Sequence, residues 1–192
     1  MTQEKSGIIE NVRSGVVDAV KGVGDVFTAA IEAVTDTLVT ALRGVGTITL
    51  EATNVIFDTV RGVIQGASDT GQDLTKAAKG IVVGVMRATK ETGTETLDAV
   101  ATTAGAIVKS TSEVGGDVAG AARGAVEGAI EGARDLSVSA EEAASAAATG
   151  AVKAAGEIGG SVGAQVRDAV TGTIAGVKVV IKEPFKNGDD ES

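Results

Sequence analysis

One phase runs through almost the whole chain, and it restricts what the chain can fold into. Stepping forward from Ile9 by three, four and four residues lands on Val12, Val16, Val20, Val23, Phe27, Ile31, Val34, Leu38, Leu42 and Val45. Without a reset, the same steps reach Ile56, Val60, Ile64, Val82, Met86, Leu97, Val100, Val126, Ile130, Val166, Val170 and Ile174. The register defines eleven columns, lettered a to k from Ile9. Six of them (a, c, d, g, h and k) hold 96 positions between Ile8 and Ile181, and only one of these, Glu141, is charged. Charge makes up 22% of the chain, so this is strong segregation. Eleven residues over three turns suit an α-helix, on which the six columns become neighbours in a face roughly 160° wide. A strand would need period two.

The unbroken phase predicts an all-α fold: one very long, nearly continuous amphipathic helix over residues 8–182. A short tail precedes it at 1–7, and an acidic, solvated tail follows at 183–192. At 1.5 Å per residue such a helix would extend roughly 260 Å. Glycine clusters mark candidate hinges near 66–73, 93, 115–116 and 159–160, where a hairpin requires a turn that conserves phase. "GVKVVIKEPF" alternates more like a strand, and Pro184 ends any helix.

Such a helix is poor on its own. Interior glycine costs about 1 kcal/mol relative to alanine, and valine and threonine cost tenths more, so the charge-free face needs a cover. Column c is mainly glycine and alanine, and Gly22, Gly44, Gly66, Gly132 and Gly176 are the small-residue contacts it offers. Nine glycine pairs stand four residues apart, a spacing that lets backbones approach closely. The apolar landings from Val12 to Ile174 named above then form the core of an oligomer interface.

The flanks of the face carry opposite signs. Column e is basic (Arg13, Lys79, Lys90, Arg123, Arg134, Arg167, Lys178), and columns j and f are acidic. Unlike flanks meet between parallel neighbours, as e and g charges do in heptad coils. The width of the face suits four or more chains, and an eleven-residue repeat implies a slight right-handed supercoil. The expectation is therefore a parallel hendecad coiled coil of copies of this chain.

Chemistry is mostly excluded. The chain has no His, Cys, Trp or Tyr, so it has no thiolate and no side chain that titrates unperturbed near neutrality. No phosphate-binding glycine loop occurs, and no enzyme activity, metal or cofactor is expected. Glu141 either fixes register or marks a local fray. A net charge of −9 argues against nucleic acid. No signal peptide or conventional transmembrane run is present, so the expected location is cytoplasmic, with peripheral membrane association as the alternative.

The 3-4-4 pattern resembles the long hendecad coiled-coil proteins of bacteria and archaea. It is also similar to late-embryogenesis-abundant proteins, apolipoproteins and synuclein, although the "KTKEGV" motif of synuclein is absent; "VKGV" (Val20–Val23) and "VRGV" (Val60–Val63) come nearest. The first resemblance implies a non-enzymatic structural protein that self-assembles through its Val/Ala/Gly face into a rod, filament or helical tube. The second implies an amphipathic coat on lipid or a storage granule, apolipoprotein- or phasin-like, extending to membrane insertion or pore formation, or a stress protectant.

Overall fold

The chain carries helix-closing residues at a fixed spacing. Gly71, Gly93 and Gly115 adopt φ of 66°, 72° and 70°, the left-handed region that glycine enters without a Cβ clash. In each case the next residue donates its N–H to a carbonyl five back: Gln72 to Ala67, Thr94 to Thr89 and Gly116 to Thr111. This satisfies carbonyls the helix end leaves open. Two residues after each glycine stands the N-cap of the following helix, Asp73, Glu95 or Asp117. Asp73 accepts the N–H of Thr75 at 2.8 Å, and Asp117 that of Gly120 at 3.0 Å. Glu95 makes no such bond. Glycines and caps thus recur every 22 residues, two units of eleven. The next step of 22 reaches Ser139, the N-cap of another helix.

The computed structural model describes residues 2–23, 25–43 and 47–182, without the side chains of 2–6 and 23. It holds helices α1 (Thr2–Val23), α2 (Val26–Leu42), α3 (Leu50–Asp69), α4 (Leu74–Thr92), α5 (Thr96–Glu113), α6 (Val118–Ala133), α7 (Ala140–Ile158) and α8 (Gly160–Val170). A hairpin follows, β1 (Gly172–Ile174) paired antiparallel with β2 (Val177–Val179).

This corrects the expected fold. The single long helix in a parallel, right-handed coiled coil is replaced by separate helices packed on one another in a bundle. The physical reason lies in the turns. A turn of arbitrary length would shift the apolar phase, but from Asp73 to Ser139 each helix and its turn together fill 22 residues, so the phase returns after each of those reversals. Interhelix turns fall within all four glycine-marked stretches, and separate helices also replace the single one at α1 and α2, α2 and α3, and α6 and α7. The helix expected to reach 182 ends at Val170.

Each of α1 to α7 packs most extensively on a helix two places away, through the pairs α1 with α3, α3 with α5, α5 with α7, α2 with α4 and α4 with α6, whereas α8 packs most on its predecessor α7. These neighbours are parallel, because contacts advance in step along both: Gly80 meets Phe27 where Gly84 meets Ile31, and Gly124 meets Thr75 where Gly128 meets Lys79. The helix between two parallel neighbours must run back. The result is two layers, odd-numbered helices in one and even-numbered in the other, with the charge-free faces turned between them.

Side chains alone would fill this core thinly, because it consists mainly of Val, Ala and Ile. Glycine closes the gap by letting helices within a layer approach. A Cβ at Gly84 would lie 2.9 Å from the Ile31 carbonyl oxygen and 2.9 Å from Val34 Cβ. At Gly128 it would lie 2.5 Å from the Lys79 carbonyl oxygen. Both contacts are tighter than any real Cβ tolerates, so these crossings admit glycine alone. Dispersion between close backbones replaces what larger side chains supply in ordinary cores.

Candidate functional site

The apolar residues proposed as an oligomer interface are placed inside this one chain. Val16, Val34, Leu38, Leu42, Ile56, Val60, Ile64, Val82, Met86, Val100, Val126, Val166 and Val170 have no exposed surface, and Val12, Val20, Ile31, Ile130 and Ile174 are also buried. Phe27 and Leu97 are half-buried. Ile174 belongs to β1, not to a helix. Val45, Gly44 and the Val23 side chain lie outside the described residues. Of the small residues, Gly66 packs on α1, 3.0 Å from where its Cβ would meet the Arg13 carbonyl, and Gly132 packs on the Met86 sulfur. Gly22 faces open space, and Gly176 sits in the hairpin turn at φ 83°. Glu141 is exposed in the first turn of α7, where a carboxylate favours the helix dipole. It breaks the apolar column because a helix begins there.

Ion pairs join parallel neighbours of the same chain, but only Arg13–Asp69 joins basic column e to an acidic flank; Arg61, Lys109 and Glu131 stand in other columns. Arg13 reaches Asp69 at 2.6 Å (α1 to α3), and Arg61 reaches Glu113 at 2.6 Å (α3 to α5). Lys79 reaches Glu131 at 2.7 Å (α4 to α6), and Lys109 reaches Glu157 at 2.6 Å (α5 to α7). In each pair the base comes from the earlier helix. Two of these bases also lie over an aromatic ring one helix further back: Lys79 is 5.5 Å from the Phe27 ring centroid, and Lys109 is 5.8 Å from that of Phe57. The same Phe–Lys–Glu ladder therefore crosses three parallel helices in each layer.

In the odd layer this ladder spans a groove of about 400 Å³. Its floor is small (Ala101 and Gly105 of α5, Gly150 and Ala154 of α7), and Thr53, Phe57, Thr102 and Thr149 form its walls. Lys109, Lys153 and Glu157 line one end. The hydrogen bond from Lys109, with its charge and that of Lys153, holds the Glu157 carboxyl below the usual carboxylate range. The groove contains no nucleophile with an adjacent base. No cluster of three or more metal-capable acidic side chains occurs among the described residues. What the arrangement does chemically is bind helices: small residues permit approach, and the ladder sets register.

The sequence reading found the flanks but not the ladders, whose rungs stand 48 to 52 residues apart. Separations of 48 and 52 residues are not multiples of 22, so the spacing of the caps does not expose the ladders. No protein-family model matches the chain, and no curated protein matches its sequence. Fold and groove together define an all-α protein of stacked helical hairpins. None of its described helices is long and apolar enough to cross a membrane.

Proposed function

We propose that the chain is a non-enzymatic structural protein that works in its closed form, as a rigid stack of helical hairpins serving as spacer or scaffold. The observation that carries this reading is where the glycines fall. Gly62, Gly80, Gly84, Gly124, Gly128 and Gly150 occupy columns f and j, which elsewhere hold Asp and Glu, and each receives the backbone of a helix two places earlier. A helix built to lie on lipid has no need of glycine on those flanks, where it costs about 1 kcal/mol of helix stability. A helix built to lie beside another helix needs the glycine. Copies of the chain remain the expected partner. Their association moves to the outer faces, because the Val/Ala/Gly face is filled within the chain. The cytoplasmic location expected from the sequence accompanies this reading.

One observation favours a second reading. The phase survives every turn, so straightening the turns would align the eight apolar stripes into one face suited to coating lipid or a granule. Circular dichroism with and without zwitterionic vesicles, alongside mass in solution, separates the two. The closed scaffold predicts full helicity in buffer and no change on adding vesicles. Low helicity in buffer that rises sharply with lipid would overturn it in favour of the coat.

A further inference from the structure

Helices α3, α4, α6 and α7 close on the helix two places earlier through a glycine at one recurrent position. Gly62, Gly84, Gly128 and Gly150 stand on a grid of 22 residues in column j. A Cβ on any of them would lie 2.9 Å or less from a carbonyl oxygen, that of Ile9, Ile31, Lys79 or Ala101. The point of the grid between Gly84 and Gly128 falls in α5, and there the residue is Ala106, fully buried. Four residues before the grid, Gly80 and Gly124 receive a backbone in the same way, and α5 carries Thr102. Both α5 residues bring a Cβ to a crossing that glycine keeps clear in α4 and α6. Accordingly, α3 and α5 are the least extensively packed of the five parallel pairs among α1 to α7.

This departure accounts for the groove over α5. Gly150 draws α7 in, Ala106 and Thr102 hold α3 off, and α5 is left as the middle of an open recess between Phe57 and Ala154. Its volume of about 400 Å³ lies within the range of small-molecule sites, about 300–1,000 Å³. The ring of Phe57 belongs to the lining by a second departure. It stands in column e, outside the charge-free face and in a column whose charged members are all basic, and it is only half-buried. A ring held on the outer side of a layer, next to a floor of alanine and glycine, offers a flat apolar surface for another ring. Charge supplies the third feature. The ionisable lining is Lys109, Lys153 and Glu157, a sum of +1 in a chain of net charge −9. Lys109 and Glu157 offset each other at 2.6 Å, which leaves the charge of exposed Lys153 in surplus. The lining runs from Ala101 to Lys109, about 12 Å along α5, the length of a two-ring molecule rather than of a lipid chain.

We propose that the groove over α5 binds a small aromatic monoanion, with its rings on Phe57 and the alanine–glycine floor and its acid group at Lys153. The bound molecule spans α3, α5 and α7 and braces the odd layer where its own packing is thinnest.

The test titrates the full chain with anilinonaphthalene sulfonate, a fluorescent aromatic monoanion, and with uncharged phenylnaphthylamine, which has the same rings without the acid. The expected result is saturable binding of one sulfonate probe per chain at unchanged helicity, with the uncharged probe at least fivefold weaker. Lys153→Gln, at an exposed position that leaves the fold intact, should weaken the sulfonate at least fivefold and leave the uncharged probe where it was. Ala106→Gly restores the recurrent glycine, so α5 should close on α3 and both probes should weaken at least threefold. Binding that does not saturate, or that comes with a loss of helicity, overturns the site. Equal affinity for the two probes, or sulfonate binding unmoved by Lys153→Gln, overturns the anion as its ligand. Binding unmoved by Ala106→Gly overturns the crossing of α3 and α5 as its origin.

Discussion

Gly128→Ala and Gly15→Ala make the same chemical change on two helices and should move stability in opposite directions. In an exposed helix, alanine is favoured over glycine by about 1 kcal/mol. At Gly15 a Cβ meets nothing within 4 Å, so most of that gain should appear. At Gly128 the Cβ would lie 2.5 Å from the Lys79 carbonyl oxygen, 3.1 Å from Lys79 Cα and 3.1 Å from Val82 Cβ. The first two are backbone atoms that cannot rotate away. Relief requires α4 and α6 to part by about 1 Å, which loosens Val82 and Met86 in the core. Overpacking of this kind costs about 1–3 kcal/mol, which outweighs the propensity gain. We expect Gly128→Ala to destabilise by about 1–2 kcal/mol and Gly15→Ala to stabilise by about 0.5–1 kcal/mol. With a urea slope of about 1–3 kcal/mol/M, the two midpoints should differ by roughly 0.5–3 M. Urea titration followed by far-ultraviolet circular dichroism reads this directly. If both variants rise together, the close crossing of α4 and α6 does not exist, and the glycines are helix residues without neighbours.

Further outcomes follow from single contacts. Asp73→Ala and Asp117→Ala each remove a bonded N-cap and should cost about 1 kcal/mol in urea titration, while Glu95→Ala, which loses no cap bond, should cost far less. The hydroxyls of Thr59 and Thr111 are buried without a partner, so Thr59→Val should raise stability by about 1 kcal/mol by removing an unmet polar group at constant shape; a fall in the midpoint would show a missing partner. The hydroxyl of Thr28 and the N–H of Phe27 hold the Asp25 carboxyl below its ordinary pKa of 3.8. A lowered folded pKa means that this stabilisation is complete above the ordinary value and is lost as pH falls through it toward the folded one. Asp25→Asn, which keeps the cap, should flatten part of the acid limb of a stability–pH curve and leave neutral pH nearly unchanged. Glu113→Gln breaks an ion pair whose side chains are 42% and 47% exposed and should cost under about 1 kcal/mol.

The α-helical class and the membership of the core were legible in the sequence because both depend on period, and the hendecad register gives the period. Val16, Ile56, Met86 and Val126 follow from it directly. What the register could not convey was the path of the chain. Phase is blind to direction when helix and turn together fill whole repeats, as they do from Asp73 to Ser139, where three of the turns read Gly-x-acid. The signal for those turns was present in "GQD", "GTE" and "GGD" at 71–73, 93–95 and 115–117. Their acids read as a charged flank because column j holds other acids too. The glycines at four-residue spacing drift out of the apolar face for a reason that requires two contact directions: one across the layers, met by the charge-free columns, and one within a layer, met by Gly80, Gly84, Gly124 and Gly128. The ladders through Lys79 and Lys109 escaped because they join helices that only the turns bring side by side.

The pairing of each helix with the one two places before it has a consequence for synthesis. The ion pairs that join helices link residues 48 to 56 apart, so none waits for a distant part of the chain. As the chain emerges from the ribosome, each new hairpin finds its docking surface already made behind it. Because structure in stacked repeats spreads from neighbour to neighbour, folding can keep pace with translation. The apolar face then never exists at full length in the open, where it would be most prone to aggregate.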